Sequence, residues 1–187
     1  MSSTTFNHQN TNSKATSHQK VTYLTTTALF AALVCVTTAY IFHIPFGANG
    51  GYVHVGDALI YLAAAFLPMP YAMAAGAIGG AFADLLTAPV WAPATFFIKM
   101  MIALPFTSKK DKIINVRNVI GVFAAAILSF AGYYFAEVIM FGTWGAIIPS
   151  IVGTLAQSGG SAVLFIVFGL ALDKMNFKAN AKNRFGI

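Results

Sequence analysis

Residues 21–44 read VTYLTTTALFAALVCVTTAYIFHI, and this stretch decides the class of protein. It is long enough to cross a bilayer core, which requires about 20 predominantly apolar residues. The whole chain agrees with it, because 58% of its 187 residues are hydrophobic, only 9% are charged, and the mean hydropathy is +0.73. A soluble domain usually carries about 25% charged residues. The composition therefore excludes a water-soluble enzyme, a disordered protein and a coiled coil, and it predicts an all-α integral membrane protein.

Five further apolar segments follow the first, and together they predict a bundle of six transmembrane helices. They cover about residues 57–68, 70–88, 93–107, 117–142 and 147–172. The second and fourth segments are short for a full crossing, so four crossings with two re-entrant segments remain an alternative. Around this membrane domain, residues 21–173, we expect a disordered polar tail at 1–20 and a basic tail at 174–187.

The basic residues predict how the chain is oriented in the cell membrane. Ten of the eleven Lys and Arg residues precede the first segment, lie between the fourth and fifth, or follow the last. The connections at 45–56, 88–93 and 142–147 contain none. Six crossings then place every basic cluster and both termini in the cytoplasm, as the positive-inside bias requires. The basic residues form no stripe among aromatic ones, so we expect membrane lipid and no nucleic acid as a partner.

Four ionisable residues lie within or at the edge of the apolar segments: Asp57, Asp84, Lys99 and Glu137. Each costs free energy there unless it is paired or hydrated, so each is a candidate for function. Asp57 follows Gly56, and we expect a structural role in which its carboxylate caps the second helix. For Asp84 we also expect a structural role, paired with Lys99 or capping the next loop. For Lys99, an ion pair and a substrate contact remain open.

Glu137 is the strongest single candidate for a binding residue. Tyr133, Glu137, Met140 and Trp144 fall on one face of the fifth helix, at positions i, i+4, i+7 and i+11. A carboxylate flanked by aromatic rings suits a small heteroaromatic ligand that carries N–H donors. An ion pair between Glu137 and Lys99 is the alternative.

The sixth segment carries a second polar stripe, which consists of Ser150, Thr154, Gln157 and Ser161. Neutral hydrogen-bonding groups on one side of an apolar helix either join helices together or line a polar pocket. Helix joining is the usual role of Ser and Thr. The side chain of Gln157 is longer, and we expect it in the pocket.

Small residues predict where helices approach each other closely. Gly76 and Gly80 form a GxxxG pair in the third segment, and Ala28 and Ala32 form an AxxxA pair in the first. Each pair creates a flat surface for close packing. Within one bundle this role is structural, whereas on the first helix it also suits docking to another membrane protein.

The connection PFGANGGYVHVG at 45–56 joins the first two helices, and its Asn-Gly-Gly turn is followed by Tyr52 and His54. We expect residues 47–54 to close over a pocket as a lid, with a plain hairpin as the alternative. His43 and His54 have no other potential ligands near them in the sequence, so no metal site is predicted. The chain has no P-loop, no HExxH motif and no other signature of a cofactor or an ATPase.

The order of these features resembles the substrate-binding S component of energy-coupling factor (ECF) vitamin transporters. The resemblance rests on the Ala28-Leu-Phe-Ala-Ala32 helix, the Gly-rich loop ending in His54-Val-Gly-Asp57-Ala, and the run LIYLAAAFLPMPYAMAAGAIGGAFADLL. It covers about residues 20–178 with the same six-segment plan. Within the family, the chain is most similar to members for hydroxymethylpyrimidine or pyridoxine-like compounds.

The resemblance implies a high-affinity substrate-capture subunit rather than an enzyme. Such a subunit binds one vitamin or precursor from outside and delivers it to a T component that carries two ATP-hydrolysing subunits. By the same resemblance, Ala28 and Ala32 match the docking motif, and Tyr52 and His54 match lid positions. The helices that usually supply pocket groups carry Lys99, Glu137 and Gln157.

Together, the residues and the resemblance predict a planar ligand held from several sides. Its ring is expected to stack on Tyr133, Trp144 or Trp91, with Glu137 accepting its hydrogen bonds. An S component for a different vitamin is an alternative. Two other classes also remain: a homo-oligomeric transporter or channel that works alone, and an intramembrane enzyme with Asp84 and Glu137 as acid and base.

Overall fold

Helices dominate the chain, and the computed structural model describes residues 17–41, 43–45, 52–142 and 144–185. In chain order the elements are α1 (Ser17–Tyr40), β1 (Ile44–Pro45), β2 (Tyr52–Val53), α2 (Asp57–Phe66), α3 (Met69–Thr87), α4 (Ala92–Ile102), α5 (Val116–Phe141), α6 (Ile147–Lys174) and α7 (Phe177–Phe185). The two strands form an antiparallel hairpin in which Ile44 pairs with Val53 and Pro45 with Tyr52. One-turn 3₁₀ helices at Pro89–Trp91 and Trp144–Ala146 precede α4 and α6.

Four helices are long and apolar enough to cross a membrane: Ser17–Tyr40, Met69–Thr87, Val116–Phe141 and Ser150–Lys174. The other two apolar segments form shorter helices. At a rise of about 1.5 Å per residue, the 10 residues of α2 and the 11 of α4 each extend only about 15–17 Å. A bilayer core is about 30 Å thick. Within the described residues the chain is therefore a predominantly helical membrane protein with six apolar helices, two of which are about half the length of a crossing.

Several boundaries differ from those expected from the sequence. Helix α1 begins at Ser17, so the last four residues of the expected tail 1–20 are helical, while 1–16 lie outside the described residues. The expected basic tail contains helix α7. Helix α4 ends at Ile102 rather than near 107, because Pro105 follows and proline donates no backbone hydrogen bond. Helix α5 begins at an Asn115 cap and ends at Gly142 with φ of 67°, a left-handed conformation that glycine adopts readily.

Helix α3 lies between α1 and α4, and its glycines permit the close approach. A Cβ atom on Gly79 would lie 2.5 Å from the carbonyl oxygen of Ala31 in α1. A Cβ atom on Gly76 would lie 2.8 Å from the carbonyl oxygen of Lys99 in α4. Both distances are too short for a real contact, so a larger residue at either position would push a neighbouring helix away.

The centre of the bundle is helix α2, which is buried over almost its whole length. Three aromatic rings form the core beside it: Tyr61 stacks on Phe106 at 4.8 Å between centroids, and Phe165 meets both rings edge-on at 5.6–5.9 Å. By contrast, helix α5 exposes a stripe of large apolar side chains, of which Val116 is 78% and Phe123 is 69% exposed. Such an arrangement suits lipid as the surrounding solvent.

One end of the bundle carries the basic connections and is held by side-chain bonds. Asp173, near the end of α6, accepts hydrogen bonds from the backbone N–H groups of Ile113 and Ile114 at 2.8 and 2.9 Å. Lys178 in α7 donates to the carbonyl oxygens of Ser108 and Lys110. We call this the basic end. Helix α2 runs towards it from the opposite end, where the β-hairpin lies.

Candidate functional site

A charged cluster lies at the centre of the bundle near the hairpin end. Asp57 is the first residue of α2, Lys99 lies in the last turn of α4, and Gln157 lies on α6. Lys99 Nζ donates to Asp57 Oδ1 at 2.6 Å, and Gln157 Nε2 donates to Asp57 Oδ2 at 2.9 Å. Their exposed fractions are 0% for Asp57, 1% for Lys99 and 7% for Gln157. We call these three residues the buried cluster.

The buried cluster corrects the expected role of Asp57. The N-cap position of α2 is Gly56, and no side chain caps this helix end. The carboxylate points to α4 and α6 instead, because an ammonium group and an amide offer it stronger compensation than backbone N–H groups do. Lys99 is therefore bonded to Asp57, and the pairs considered with Asp84 or Glu137 are not the ones formed.

Two features accommodate the lysine side chain inside the bundle: a glycine beside its stem and an aromatic ring near its ammonium group. A Cβ atom on Gly80 would lie 2.7 Å from Lys99 Cγ and 3.1 Å from Thr95 Cγ2, so glycine is required for the stem to pass. The ammonium group lies 5.2 Å from the centre of the Tyr133 ring, within range of a cation–π contact. Gly76, one turn earlier, faces the same helix. The GxxxG pair thus packs α3 directly against the element that carries Lys99.

A second polar group connects the hairpin to α3. The Tyr52 hydroxyl donates to Asp84 Oδ1, and the Tyr52 ring stacks on His43 at 3.8 Å between centroids. Burial and the nearby Asp84 carboxylate raise the pKa of Tyr52, so its hydroxyl keeps the proton that it donates. Asp84 is 4% exposed and is bonded to the hairpin rather than capping the loop after α3.

His54 is buried beneath the hairpin with an exposed fraction of 4%. Its Nδ1 accepts from the Gly56 backbone N–H at 3.0 Å and lies 3.5 Å from Thr38 Oγ1. Burial and the Lys99 charge lower the pKa of His54 to about 3, so the ring is neutral at physiological pH. Among the residues that the structure describes, no three His, Cys, Asp or Glu side chains are grouped to hold a metal ion.

The aromatic candidates are divided between two environments. Trp91 is buried and meets Tyr133 edge-on at 6.0 Å and Phe141 at 5.7 Å. The Tyr133 hydroxyl is 3.1 Å from Thr95 Oγ1, which places it in the same polar region as Lys99. Trp144 is 69% exposed, and its carbonyl oxygen accepts from the Tyr134 hydroxyl at 3.1 Å. Tyr133 therefore adjoins the buried cluster, Trp91 packs against Tyr133, and Trp144 lies on the surface.

Glu137 lies one turn beyond Tyr133 on α5 and is half-buried. Ser150 at the start of α6 donates to Glu137 Oε2 at 2.7 Å, which joins the two helices near the hairpin end. Two residues of the polar stripe on α6 thus donate hydrogen bonds to different acidic residues: Ser150 to Glu137 and Gln157 to Asp57. The expected lid tip, residues 47–51, lies outside the described residues, while its base at Tyr52 and His54 contacts Asp84 and Gly56.

Sequence reasoning placed Ser161 in the polar stripe of α6 but missed two polar groups near it, Tyr61 and Ser158. The hydroxyl groups of Tyr61, Ser158 and Ser161 are buried and have no hydrogen-bond partner in the structure. Gln157, Ser161 and Phe165 recur every four residues on α6, and the first and last of them contact Asp57 and Tyr61 of α2. Ser161 therefore faces α2 between these two contacts. The sequence did contain one signal for these groups: Tyr61 places a phenol hydroxyl one helical turn after the buried Asp57.

A family model described as "ECF-type riboflavin transporter, S component" matches residues 18–174, which include every helix of the bundle except α7. No curated protein matches the chain significantly.

Proposed function

Since the chain belongs to the family of ECF-type riboflavin transporter S components, we propose that it captures a small heteroaromatic vitamin for an ATP-driven importer. The family explains why a membrane protein keeps hydrogen-bonding residues at its centre. Transport, rather than catalysis, is the role of such a component. The observation that carries the proposal is the buried cluster of Asp57, Lys99 and Gln157, together with the aromatic rings beside it.

The buried cluster offers the groups that a planar, nitrogen-containing ring requires. Asp57 supplies acceptor oxygens, Lys99 supplies donors, and Gln157 can present either. The Tyr133 ring contacts the Lys99 ammonium group and the Trp91 indole packs against Tyr133, so these two rings are our candidates for stacking with a ligand. Such a mixture of apolar walls and a few convergent polar groups is typical of small-molecule sites.

The burial of these polar groups supports a role in binding as well as in packing. A protein with a buried ion pair is rarely more stable than one with well-packed apolar residues of similar volume in its place. A bundle that keeps Asp57 and Lys99 therefore retains them at a cost in stability, which a role in ligand recognition offsets. The unpartnered hydroxyls of Tyr61, Ser158 and Ser161 extend the hydrogen-bonding capacity of the region further along α2 and α6.

Riboflavin is the first compound to test, because the matched family model carries its name. Hydroxymethylpyrimidine and pyridoxine are the next two, since the sequence resembles S components for such compounds. All three present a planar heteroaromatic ring with hydrogen-bonding atoms at its edge. The hypothesis of a single-ring substrate and that of a flavin differ in the volume of the site that they require.

The decisive experiment is to purify the full chain and identify by mass spectrometry any small molecule that it retains. The three compounds are then titrated, and we expect one of them to bind with a Kd below about 1 μM, equivalent to about 8 kcal/mol. Gln157→Ala should weaken that binding, and Leu155→Ala, an exposed position on the same helix, should not. Absence of binding for all three, with no retained heteroaromatic compound, would refute the proposal.

We further propose that the T component docks on the surface formed by α1 and α3. Ala28 and Ala32 are exposed on α1 and line a groove of about 660 Å³ between the two helices, together with Ala74 and Ile78 of α3. Small side chains beside an open groove permit close approach by a partner helix. Copurification supports this arrangement if a T component and two ATPase subunits accompany the chain, and recovery of a homo-oligomer alone contradicts it.

The proposed topology has six crossings with both termini in the cytoplasm. Its support is that Lys110 and Lys178 meet at one end of the bundle, which the positive-inside bias assigns to the cytoplasm. In a Cys35→Ala background, Val90→Cys should react with an impermeant thiol reagent in intact cells. Lys182→Cys should react only after permeabilisation, and the reverse pattern would refute the orientation.

A further inference from the structure

A groove at the basic end of the bundle is lined by both basic and apolar side chains. It has a volume of about 640 Å³ and lies where the α4–α5 connection meets the first turns of α5. Lys110 and Arg117 form its polar margin, and Val116, Ile120 and Ala124 form its apolar wall. None of these residues belongs to the buried cluster, which lies near the opposite end of the bundle.

The charge around the groove is strongly positive. Residues 109–117 contain four basic side chains and one acidic side chain, Asp111. The backbone that carries Lys110 is fixed, because its carbonyl oxygen accepts from Lys178 of α7. Arg117 Nε donates to the Pro105 carbonyl oxygen at 3.4 Å, which orients the side chain and leaves the other guanidinium N–H groups for an anion.

The apolar wall of the groove is continuous with the face of α5 that meets lipid. Val116 and Ile120 are 78% and 62% exposed, and Phe123 and Ile127 extend the stripe, each with 69% exposure. These four residues recur at i, i+4, i+7 and i+11, so they lie along one side of the helix. An occupant of the groove can therefore bind with its charged part at Lys110 and Arg117 and its apolar part along α5.

We propose that this groove binds an anionic phospholipid of the leaflet at the basic end. The lipid phosphate lies between Lys110 and Arg117, and one acyl chain lies against Ile120 and Ala124. Basic pockets beside transmembrane helices on the cytoplasmic side commonly accept anionic headgroups. A soluble phosphate matches only the two cations, whereas the phospholipid matches both the cations and the apolar wall. This site is independent of the vitamin and of the T component.

The test is native mass spectrometry of the full chain in a neutral detergent with added lipid. Phosphatidylglycerol is compared with phosphatidylcholine of identical acyl chains, and we expect preferential retention of the anionic lipid. Each basic residue contributes about fivefold in affinity, so K110Q and R117Q should each lower retention by about that factor. Ala124→Phe fills the apolar wall without changing charge, and it should also lower retention.

Matched controls separate this site from general attraction to a basic protein. Lys20→Gln and Lys182→Gln remove the same charge from exposed positions outside the groove, and they should leave phosphatidylglycerol retention unchanged. Equal losses in these controls, or equal retention of the two lipids, would overturn the proposal. Competition by glycerol 3-phosphate as effective as that by the lipid would also overturn it, because a soluble phosphate would then suffice.

Discussion

The sharpest test of the buried cluster is removal of its positive charge by Lys99→Met. The two partners are 0% and 1% exposed, and their charged atoms are 2.6 Å apart. At an effective dielectric constant of about 20, unit charges at this separation attract by about 6.4 kcal/mol. Removing one partner of a buried pair typically costs about 3–5 kcal/mol, because the remaining charge stays buried without compensation. Gln157 still donates to Asp57, so we expect the lower part of that range, about 3 kcal/mol.

The assay is reversible unfolding in mixed micelles, followed by tryptophan fluorescence in a Trp144→Phe background, so that the buried Trp91 is the reporter. The double variant Asp57→Asn/Lys99→Met removes both charges, and it should recover stability to within about 1.5 kcal/mol of the original chain. Lys182→Met is the control, an exposed lysine whose replacement should change stability by at most about 0.5 kcal/mol. If Lys99→Met were as stable as the control Lys182→Met, Asp57 would not depend on Lys99 for compensation of its buried charge, and the reasoning would be refuted.

The same double variant distinguishes packing from recognition. If Asp57 and Lys99 contact the vitamin, the variant should fold normally and yet lose at least tenfold in affinity, equivalent to about 1.4 kcal/mol. Titration of the refolded variant measures this loss directly. Unchanged affinity in a stable double variant would assign the pair to structure alone and would leave Glu137 as the principal candidate.

Three further predictions concern other parts of the bundle. Glu137→Gln should weaken vitamin binding at least tenfold, about 1.4 kcal/mol, in equilibrium titrations, and an unchanged Kd would remove this carboxylate from the site. Gly80→Ala should lower both the melting temperature and the affinity, because its Cβ would overlap the ion-pair lysine; Gly159→Ala meets no atom within 4 Å and serves as the control. Replacing Ala28 and Ala32 by Leu should abolish uptake into cells while binding by the purified chain persists, and loss of binding would contradict a docking role.

The sequence predicted the helical segments well because their signals are local. Apolar length, the prolines at 68, 70 and 93, and the charge of the connections each report on a stretch of about 20 residues or fewer. The predicted family is also confirmed, since the matched family model covers residues 18–174. The preference for hydroxymethylpyrimidine or pyridoxine-like compounds remains a prediction.

The partners within the site could not be predicted in the same way. Asp57 and Lys99 are 42 positions apart and Asp57 and Gln157 are 100 apart, so their contact depends on which helices are neighbours. Sequence periodicity gives the buried side of each helix but not the element that covers it. For Asp57, the local pattern of a glycine followed by an acid favoured a helix cap, and the distant lysine proved the stronger partner.

The two ends of the bundle differ in how firmly they are fastened. At the basic end, the side chains of Asp173 and Lys178 bond the α4–α5 connection to α6 and α7. At the other end the corresponding brace is a hairpin with only two residues in each strand. We therefore expect amide hydrogen exchange to begin at Tyr52 and Val53 before it reaches Ile113 and Ile114, whose N–H groups are bonded to Asp173.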